Sequence, residues 1–274
     1  AKTYVGNVKS NCILTNVIIG SVAAIYEKGY AMELVNNFIF DVDGTLTPSR
    51  RSMNTQFSNW FEKFSSENNV FLVTGSDRDK TIEQIGSNIY NLAKRVYNCS
   101  GNDAWEKTNN VYTSNWKLPW EAEDWLRTTC RMSDFPLRTG LHIEERPGMV
   151  NFSVVGRNAT MGERKLYVEF DTVDKERIRI AKEFKRLFPE IEAVVGGDTG
   201  IDIYPLGNDK SQILRDFDKK IDHINFYGDK MDVNGNDYPL KNKLSFENWS
   251  NDSYQVKDWQ DTFKKLTVNI KEYL

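Results

Sequence analysis

Short apolar runs alternate with amphipathic stretches along most of this chain. The runs that have the length of buried strands are residues 38–43, 70–74, 95–99 and 223–228. Between the first three runs, residues 54–65 and 79–92 repeat their apolar positions at helical spacing. Strands that alternate with helices form a parallel sheet covered on both faces, so the pattern predicts a doubly wound α/β core.

The pattern changes between residues 112 and 206. Residues 149–155 alternate apolar and polar side chains, as an antiparallel strand does. A charged helical stretch at 174–188 then precedes two strand-like runs at 191–195 and 201–204. We therefore predict an inserted α+β cap with the order strand, strand, helix, strand, strand.

This change of pattern divides the chain into a core and a cap. The predicted units are an amino-terminal extension at 1–36, a core domain built from 37–111 and 207–274, and a cap domain at 112–206. Apolar residues recur at helical spacing near the carboxyl end, and we expect them to pack on the core rather than form a binding stripe. They are Val256, Trp259, Phe263 and Leu266.

The most apolar stretch of the chain, residues 12–25, precedes the first predicted core strand. It is too short and too interrupted by polar residues to span a bilayer. Lys2 and Lys9 precede it, as basic residues precede the apolar part of a signal peptide, but no small-residue cleavage pattern follows. Two interpretations stay open, a targeting segment and an added strand or strand pair packed on the core, and the second is favoured.

Charge and composition narrow the classes of partner. The formal net charge is −3 and the sequence pI is about 5.6, whereas a dedicated nucleic-acid binder carries a basic stripe. We expect neither nucleic acid nor a membrane as a partner. Cys12, Cys99 and Cys130 are odd in number and widely spaced, which favours a reducing compartment and a cytoplasmic location. His142 and His223 leave little scope for a histidine-ligated metal, and a structural role is favoured for both.

Two aspartates follow the first predicted core strand. Asp41 falls at the carboxyl edge of the sheet, where open α/β folds bind ligands, and it is the candidate nucleophile. Asp43 can work from the same loop because Gly44 permits a tight turn, and it is the candidate general acid and base. Two carboxylates and a phosphate dianion repel one another, so such a site needs a hard cation, and Mg²⁺ fits. The alternative is an aspartate-rich turn without chemistry.

The string Asp-Val-Asp-Gly-Thr-Leu-Thr at 41–47 resembles the first motif of the haloacid dehalogenase-like (HAD) phosphotransferases, and further motifs follow in the family's order. The resemblance implies that Ser76, after the second strand, binds a phosphate oxygen. It implies that Lys210 supplies a cation to the nucleophile and the phosphoryl oxygens, although a lone lysine there would otherwise be a solvated surface residue. The metal ligands that it implies are Asp41, Asp43, Asp229 and Asp237.

Three arginines surround one predicted strand of the cap. Arg146 and Arg157 bracket the strand, and Arg164 follows it. Arginine suits phosphate because its planar fork donates two parallel hydrogen bonds and stays charged. Such a cluster can close over a sugar phosphate whose other end meets Asp41. The alternative is a solvated basic face.

A more specific resemblance covers residues 37–266, which are similar to the eukaryotic-type phosphomannomutases. The cap string from Arg146 to Arg157 resembles that family's Arg-x-Gly-Met-x-Asn-x-Ser-x-x-Gly-Arg motif. Arg50 and Arg164 stand where the family has further substrate-binding arginines.

Two departures accompany this resemblance. The family's Gly-Gly-x-x-Ser-x-Asp segment lies at 196–202, where Asp202 keeps the carboxylate expected to bind sugar hydroxyls and Gly200 replaces the serine. The missing hydroxyl removes one substrate contact. Asn234 stands in place of a glycine in the last motif.

The resemblance implies the interconversion of mannose 6-phosphate and mannose 1-phosphate, with Mg²⁺ and a hexose 1,6-bisphosphate as activator and intermediate. It also implies a homodimer formed through the cap. The competing hypothesis is a Mg²⁺-dependent sugar-phosphate phosphatase of the same fold, and a third is a protein that kept the fold without the chemistry. Mannose and glucose phosphates would use the same arginines, so both substrates stay open.

Overall fold

The computed structural model of the chain describes residues 25–27, 30–32 and 34–271. The apolar stretch at 12–25, predicted to form an added strand or strand pair, lies outside the described residues except for Ile25. No described helix combines the length and the apolar character needed to cross a bilayer.

Strands and helices alternate along the described residues. The strands are β1 (Ile25–Glu27), β2 (Tyr30–Met32), β3 (Val35–Phe40), β4 (Asn69–Val73), β5 (Arg95–Asn98), β6 (Asp103–Glu106), β7 (Asn109–Thr113), β8 (Ile143–Arg146), β9 (Met149–Phe152), β10 (Ile191–Gly196), β11 (Gly200–Pro205), β12 (Asp222–Gly228) and β13 (Asn251–Gln255). The helices are α1 (Thr55–Glu67), α2 (Arg78–Ile85), α3 (Ser87–Leu92), α4 (Trp120–Met132), α5 (Met161–Asp174), α6 (Glu176–Leu187), α7 (Tyr238–Phe246) and α8 (Trp259–Lys271). Short 3₁₀ turns lie at Cys99–Gly101 and Lys210–Asp216.

The larger sheet has the strand order β13-β12-β3-β4-β5-β6-β7 within the described residues. Neighbours from β13 to β5 are parallel, and β6 and β7 add antiparallel strands at one edge. β12, β3 and β4 lie side by side, with Phe226 paired to Ile39 and Ile39 to Phe71. Because the carboxyl ends of parallel strands meet at one edge, the loops after these strands share one crevice.

Helices and turns cover both faces of this sheet. Phe38 and Phe40 of β3 pack with α1, where the rings of Phe40 and Phe61 meet edge to face with centroids 5.0 Å apart. Ile39 points to the opposite face and joins a second apolar cluster with Leu240 of α7. The predicted doubly wound α/β class is therefore confirmed. Near the carboxyl end, the four residues predicted to pack on the core do so in the apolar cluster that contains Phe38 and Phe40. Val256 and Leu266 are buried in it, and Trp259 and Phe263 pack against it.

The second sheet is antiparallel and has the order β10-β11-β9-β8. One face packs on helices α4, α5 and α6 through a cluster that includes Leu126, Tyr167 and Phe184, with Phe152 from the sheet. The other face carries polar side chains, among them Asn151, toward the crevice of the larger sheet. We refer to this sheet and its helices as the cap; the boundaries given for the domains stay a prediction.

Several elements differ from the sequence prediction. The four apolar runs are strands β3, β4, β5 and β12, but the helix predicted at 79–92 is two helices because Gly86 lies between them at φ +82°. The charged stretch at 174–188 is likewise the second of two cap helices, separated by Lys175 at φ +58°. Helix α4 and strand β13 were not predicted. The predicted order of the cap is therefore wrong in its number of helices.

Candidate active site

Asp41 is the first residue after β3, at the carboxyl end of a central strand. Its backbone N–H donates to the carbonyl oxygen of Tyr227 on β12 at 2.9 Å. The hydroxyl of Thr45 donates to its Oδ2 at 3.1 Å. Only 3% of the residue is exposed. Asp41 is thus held by main chain and side chain in the crevice where open α/β sheets place their ligands.

Gly44 forms the turn that follows this aspartate. Its φ is +84°, a conformation that residues with a side chain rarely adopt. A Cβ built on it would lie 2.4 Å from Oδ2 of Asp229, in the loop after β12. Glycine is therefore required both for the turn and for the close approach of this second loop.

Asp43 has its carboxylate held by three donors. Its Oδ1 accepts hydrogen bonds from the backbone N–H of Arg50 at 2.7 Å and from Nε2 of Gln84 at 2.8 Å. Its Oδ2 accepts one from the hydroxyl of Ser76 at 3.3 Å. The two carboxylates of the Asp-x-Asp string therefore have different partners, and Ser76 directly contacts Asp43.

Lys210 is a fully buried lysine at the start of a 3₁₀ turn. Its Nζ donates to Oδ1 of Asp41 at 2.6 Å and to Oδ1 of Asp237 at 2.7 Å. Burial alone would lower the pKa of Lys210, but the neighbouring carboxylates of Asp237 and Asp41 raise it above its ordinary value. The ammonium group is therefore a fixed positive charge between the two aspartates.

Asp41, Asp229 and Asp237 each offer a carboxylate oxygen, and these oxygens lie within 4.8 Å of one another. Burial raises the pKa of Asp41 well above its ordinary value, although Lys210 acts in the opposite direction. Burial and the charge of Asp237 raise the pKa of Asp229 to about 6. The site thus holds more negative charge than Lys210 offsets, and an all-oxygen donor set fits a hard divalent cation. The carboxylate of Asp43 is not part of this group.

Two cap arginines share one carboxylate. Arg146 donates from Nε to Oε2 of Glu144 at 3.1 Å, and Nε of Arg157 lies 2.9 Å from the same oxygen. The pKa of Glu144 is lowered because the two guanidinium groups outweigh the effect of its burial. Burial, Arg146 and Arg50 lower the pKa of Arg157 to about 10. One carboxylate therefore does not neutralise this group of arginines.

Arg164 and Arg50 complete the basic cluster. Arg164 lies on α5, whose first turn is fixed by a capping box between Thr160 and Glu163. Its Nη1 donates to the hydroxyl of Thr199 at 2.7 Å. Burial and the neighbouring guanidinium groups lower the pKa of both Arg164 and Arg50. Because each guanidinium group disfavours the positive charge of its neighbours, the cluster is suited to bind a dianion.

Asp202 and Asn151 lie beside these arginines, on the face of the cap sheet that lines the cavity. Asn151 donates from Nδ2 to Oδ1 of Asp202 at 2.7 Å and accepts from Nη1 of Arg157 at 2.8 Å. A Cβ on Gly75 of the core would lie 3.0 Å from Oδ2 of Asp202. Asp202 therefore reaches from the cap to the core loop that carries Ser76.

A cavity of about 340 Å³ separates the two groups of charges. The core contributes Asp41, Asp43 and Asp229 together with Arg50, and the cap contributes Arg146, Arg157 and Arg164 together with Asp202. Contacts that join the cap to the core include a hydrogen bond from Nη1 of Arg146 to the carbonyl oxygen of Gly75 at 2.6 Å and a β-bridge between Val195 and Gly235. The cavity is therefore small and polar, with mostly acidic side chains on the core side and mostly basic side chains on the cap side.

The structure brings the predicted site residues together. Those that line the cavity are Asp41, Asp43, Arg50, Ser76, Arg146, Arg157, Arg164, Gly200, Asp202 and Asp229. Lys210 and Asp237 lie behind Asp41 and are joined to it by the lysine ammonium. Their individual roles in catalysis and binding stay predictions.

Three residues of the site were not assigned from the sequence. Glu144 precedes Arg146 by two positions on a strand, so the two side chains share a face, and this spacing is a signal that could have found it. Gln84 gives no such signal, because only the packing of α2 brings it to Asp43. Asn151 is part of the cap string, but its position between Asp202 and Arg157 depends on the register of three strands.

Comparison with known proteins identifies relatives of this chain. A family model for eukaryotic phosphomannomutase matches residues 57–272. The phosphomannomutase of Saccharomyces cerevisiae is 29% identical over 254 residues, which are 89% of this chain and 98% of the yeast protein. The phosphomannomutase of Galdieria sulphuraria is 32% identical over 236 residues, or 83% of this chain and 91% of that protein. That of Drosophila melanogaster is 31% identical over 214 residues, or 74% and 84%.

Solved structures show the same fold at lower identity. The carboxyl-terminal domain of the Candida albicans trehalose-6-phosphate phosphatase superposes with a TM-score of 0.58 at 14% identity, covering 87% of this chain and 92% of that one. The N-terminally truncated Plasmodium falciparum IMP-nucleotidase gives a TM-score of 0.57 at 16% identity, with 88% of this chain and 70% of that one covered. At these identities the solved structures show a shared fold alone, whereas the sequence comparisons identify the family. The chain belongs to the eukaryotic phosphomannomutase family.

Proposed function

We propose that the protein interconverts mannose 6-phosphate and mannose 1-phosphate through a phosphorylated Asp41. The observation that carries this proposal is the opposition of two charged groups across one cavity, the aspartates of the core and the arginines of the cap. A hexose monophosphate has one phosphate to be held, and one of its hydroxyls has to be phosphorylated. A chamber of this size with an anion site at one end and a candidate nucleophile at the other matches that requirement.

Asp41 is the proposed nucleophile. Its carboxylate oxygen attacks the phosphorus of a phosphoryl donor, and the bond to the donor oxygen breaks as the bond to Asp41 forms. Asp43 gives a proton to the departing oxygen. In the second step a hydroxyl of the bound hexose phosphate loses its proton to Asp43 and attacks phospho-Asp41, which yields a hexose 1,6-bisphosphate. Lys210, held between Asp41 and Asp237, offsets part of the negative charge that accumulates.

The bisphosphate must turn end for end before its other phosphate returns to Asp41. Arg146, Arg157 and Arg164 hold whichever phosphate lies distal, with Arg50 at the mouth of the nucleophile loop. Asp202 accepts hydrogen bonds from sugar hydroxyls, and the backbone N–H of Gly200 takes the place of a hydroxyl donor. A hexose 1,6-bisphosphate also serves as the activator that phosphorylates Asp41 at the start.

The donor set of Asp41, Asp229 and Asp237 fits Mg²⁺, which when bound would stabilise charge on the transferring phosphoryl oxygens. Asp43 was also predicted as a ligand, but its carboxylate is engaged by three donors, which supports its role in proton transfer. We further propose a cytoplasmic enzyme that forms a homodimer through the cap, with the core and cap acting as separate domains.

Phosphorus NMR tests the proposal. The protein is incubated with Mg²⁺, mannose 1-phosphate and a trace of glucose 1,6-bisphosphate, and both sugar phosphates and inorganic phosphate are followed. Mannose 6-phosphate without matching phosphate release is the expected result. Phosphate release alone would replace the mutase by the phosphatase alternative, and no turnover would reject both. A parallel reaction with glucose 1-phosphate measures the preference between the two hexoses.

A further inference from the structure

Asn151 occupies the central position of a cross-strand row in the cap sheet. It lies opposite Glu144 of β8 on one side and opposite Asp202 of β11 on the other. Residues paired in this way point to the same face of the sheet. A neutral amide therefore separates two carboxylates on the face that lines the cavity.

The orientation of this amide follows from its partners. Asp202 offers only an acceptor, so it faces Nδ2 of Asn151 at 2.7 Å, and Arg157 offers only donors, so it faces Oδ1 at 2.8 Å. Asn151 is 5% exposed, and a reversed amide would break both of these hydrogen bonds in a buried environment. The side chain thus links the proposed sugar-binding carboxylate to a proposed phosphate-binding guanidinium in one fixed geometry.

Gly200 provides the space for this side chain. A Cβ built on Gly200 would lie 2.6 Å from Nδ2 and 3.0 Å from Oδ1 of Asn151. The φ of Gly200 lies outside the left-handed region, so its backbone conformation does not require glycine. In the rotamer that Asn151 adopts here, its amide occupies space that a Cβ at position 200 would need.

We propose that Asn151 is a positioning residue that sets Arg157 and Asp202 relative to each other, and that the absence of a side chain at position 200 leaves room for the rotamer in which it does so in this chain. This inference rests on the proposed function, since Arg157 and Asp202 are its substrate-binding groups. Arg157 keeps Glu144 as a second partner when the amide is lost, so the group is misplaced rather than released. The effect therefore falls on substrate binding and on KM rather than on the chemistry at Asp41.

A double-mutant cycle tests this coupling. Asn151→Ala removes the bridge and should raise KM, and the Kd of mannose 1-phosphate measured by calorimetry, by about tenfold or more. Gly200→Ala should do the same because its Cβ displaces the amide. The double variant should be no worse than Asn151→Ala within about twofold, since the displaced group is already absent. Gly162→Ala on α5 is the matched control, because its Cβ would meet only Oγ1 of Thr160 at 3.9 Å.

Each outcome separates the inference from the proposed function. Multiplicative effects of Asn151→Ala and Gly200→Ala would overturn the coupling, as would a loss in kcat with KM unchanged. Asn151→Asp provides a second variant: it keeps the shape but adds a third carboxylate to the row, and it should raise Kd more than Asn151→Ala does. A wild-type protein that binds mannose 1-phosphate without isomerising it would reject the proposed function, while the Kd values would still decide the inference.

Discussion

Arg146 of the cap donates from Nη1 to the carbonyl oxygen of Gly75 in the core, at 2.6 Å. Its side chain is 8% exposed and is also paired with Glu144. Gly75 directly precedes Ser76, so the contact fastens the cap to the loop that touches Asp43. The same guanidinium group therefore belongs to the basic cluster and also joins the cap to the core.

We expect Arg146→Lys to increase the hydrolysis of phosphorylated Asp41 by water. Lysine has no planar fork with which to contact Glu144 and Gly75 together, so the closed position of the cap is less stable. The ratio of phosphate release to isomerisation should rise about tenfold or more, as phosphorus NMR can measure. Arg186→Lys on the exposed face of α6 is the control. An unchanged ratio would show that this contact does not exclude water.

Asp41→Asn should leave the protein folded and abolish turnover. Lys210 keeps Asp237 as a charged partner in this variant, so its burial stays compensated. Loss of the nucleophile should lower kcat by about a thousandfold or more, and the thermal unfolding curve should stay cooperative. Asp79→Asn, at a side chain that is 98% exposed, controls for a general effect of the substitution. Retained activity would remove Asp41 from the mechanism.

Lys210→Met should destabilise the metal-free protein strongly. It removes the ammonium group between Asp41 and Asp237 and leaves two buried carboxylates without that cation, which costs about 3–5 kcal/mol of unfolding free energy. Urea unfolding in the presence of a chelator measures the loss. Added Mg²⁺ should recover part of it if the three aspartates bind the ion. A loss below about 1 kcal/mol would contradict the structural role of this lysine.

The stability of the metal-free protein should depend on pH through Asp229. Its pKa is about 6 in the folded protein, raised by burial and by Asp237, and lower in the unfolded chain. The folded state thus holds the proton more tightly, and this stabilisation is lost as the pH rises through about 6. Between about pH 4.5 and pH 7, the unfolding free energy should fall by about 1–2 kcal/mol more in the wild type than in Asp229→Asn.

Addition of Mg²⁺ tests the ionised form of the same carboxylates. Because carboxylates must lose their protons to bind the ion, Mg²⁺ should raise the melting temperature more at about pH 7 than at about pH 5. Asp229→Asn should abolish most of this difference. An equal Mg²⁺ effect at both pH values would contradict the assignment of this aspartate to the metal site.

The sequence predicted those parts of the site that depend on local order. Asp41 and Asp229 each follow an apolar run, and parallel strands necessarily bring such ends to one edge. Lys210 was assigned only by resemblance, because its complete burial results from packing between distant segments and leaves no mark on the local pattern. Gln84 was missed for the same reason.

Helix α4 shows a different limit of pattern recognition. Its buried face consists of Ala122, Leu126 and Cys130, one residue per turn among charged neighbours, which is too narrow a stripe to stand out. The break at Gly86 was visible as a glycine, but glycine inside a helical pattern is often tolerated. Tertiary packing decides the first place, whereas the backbone conformation of a glycine decides the second.

Lys210 lies 169 positions after Asp41 and 27 before Asp237 along the chain, with the whole cap in the longer interval. Asp41, the proposed nucleophile, therefore acquires its counter-charge only after the chain has left the core, completed the cap and returned. A nascent or truncated chain that ends within the cap would carry the Asp-x-Asp loop without its lysine. The Asp41–Lys210 pair therefore forms only when both segments of the core are assembled.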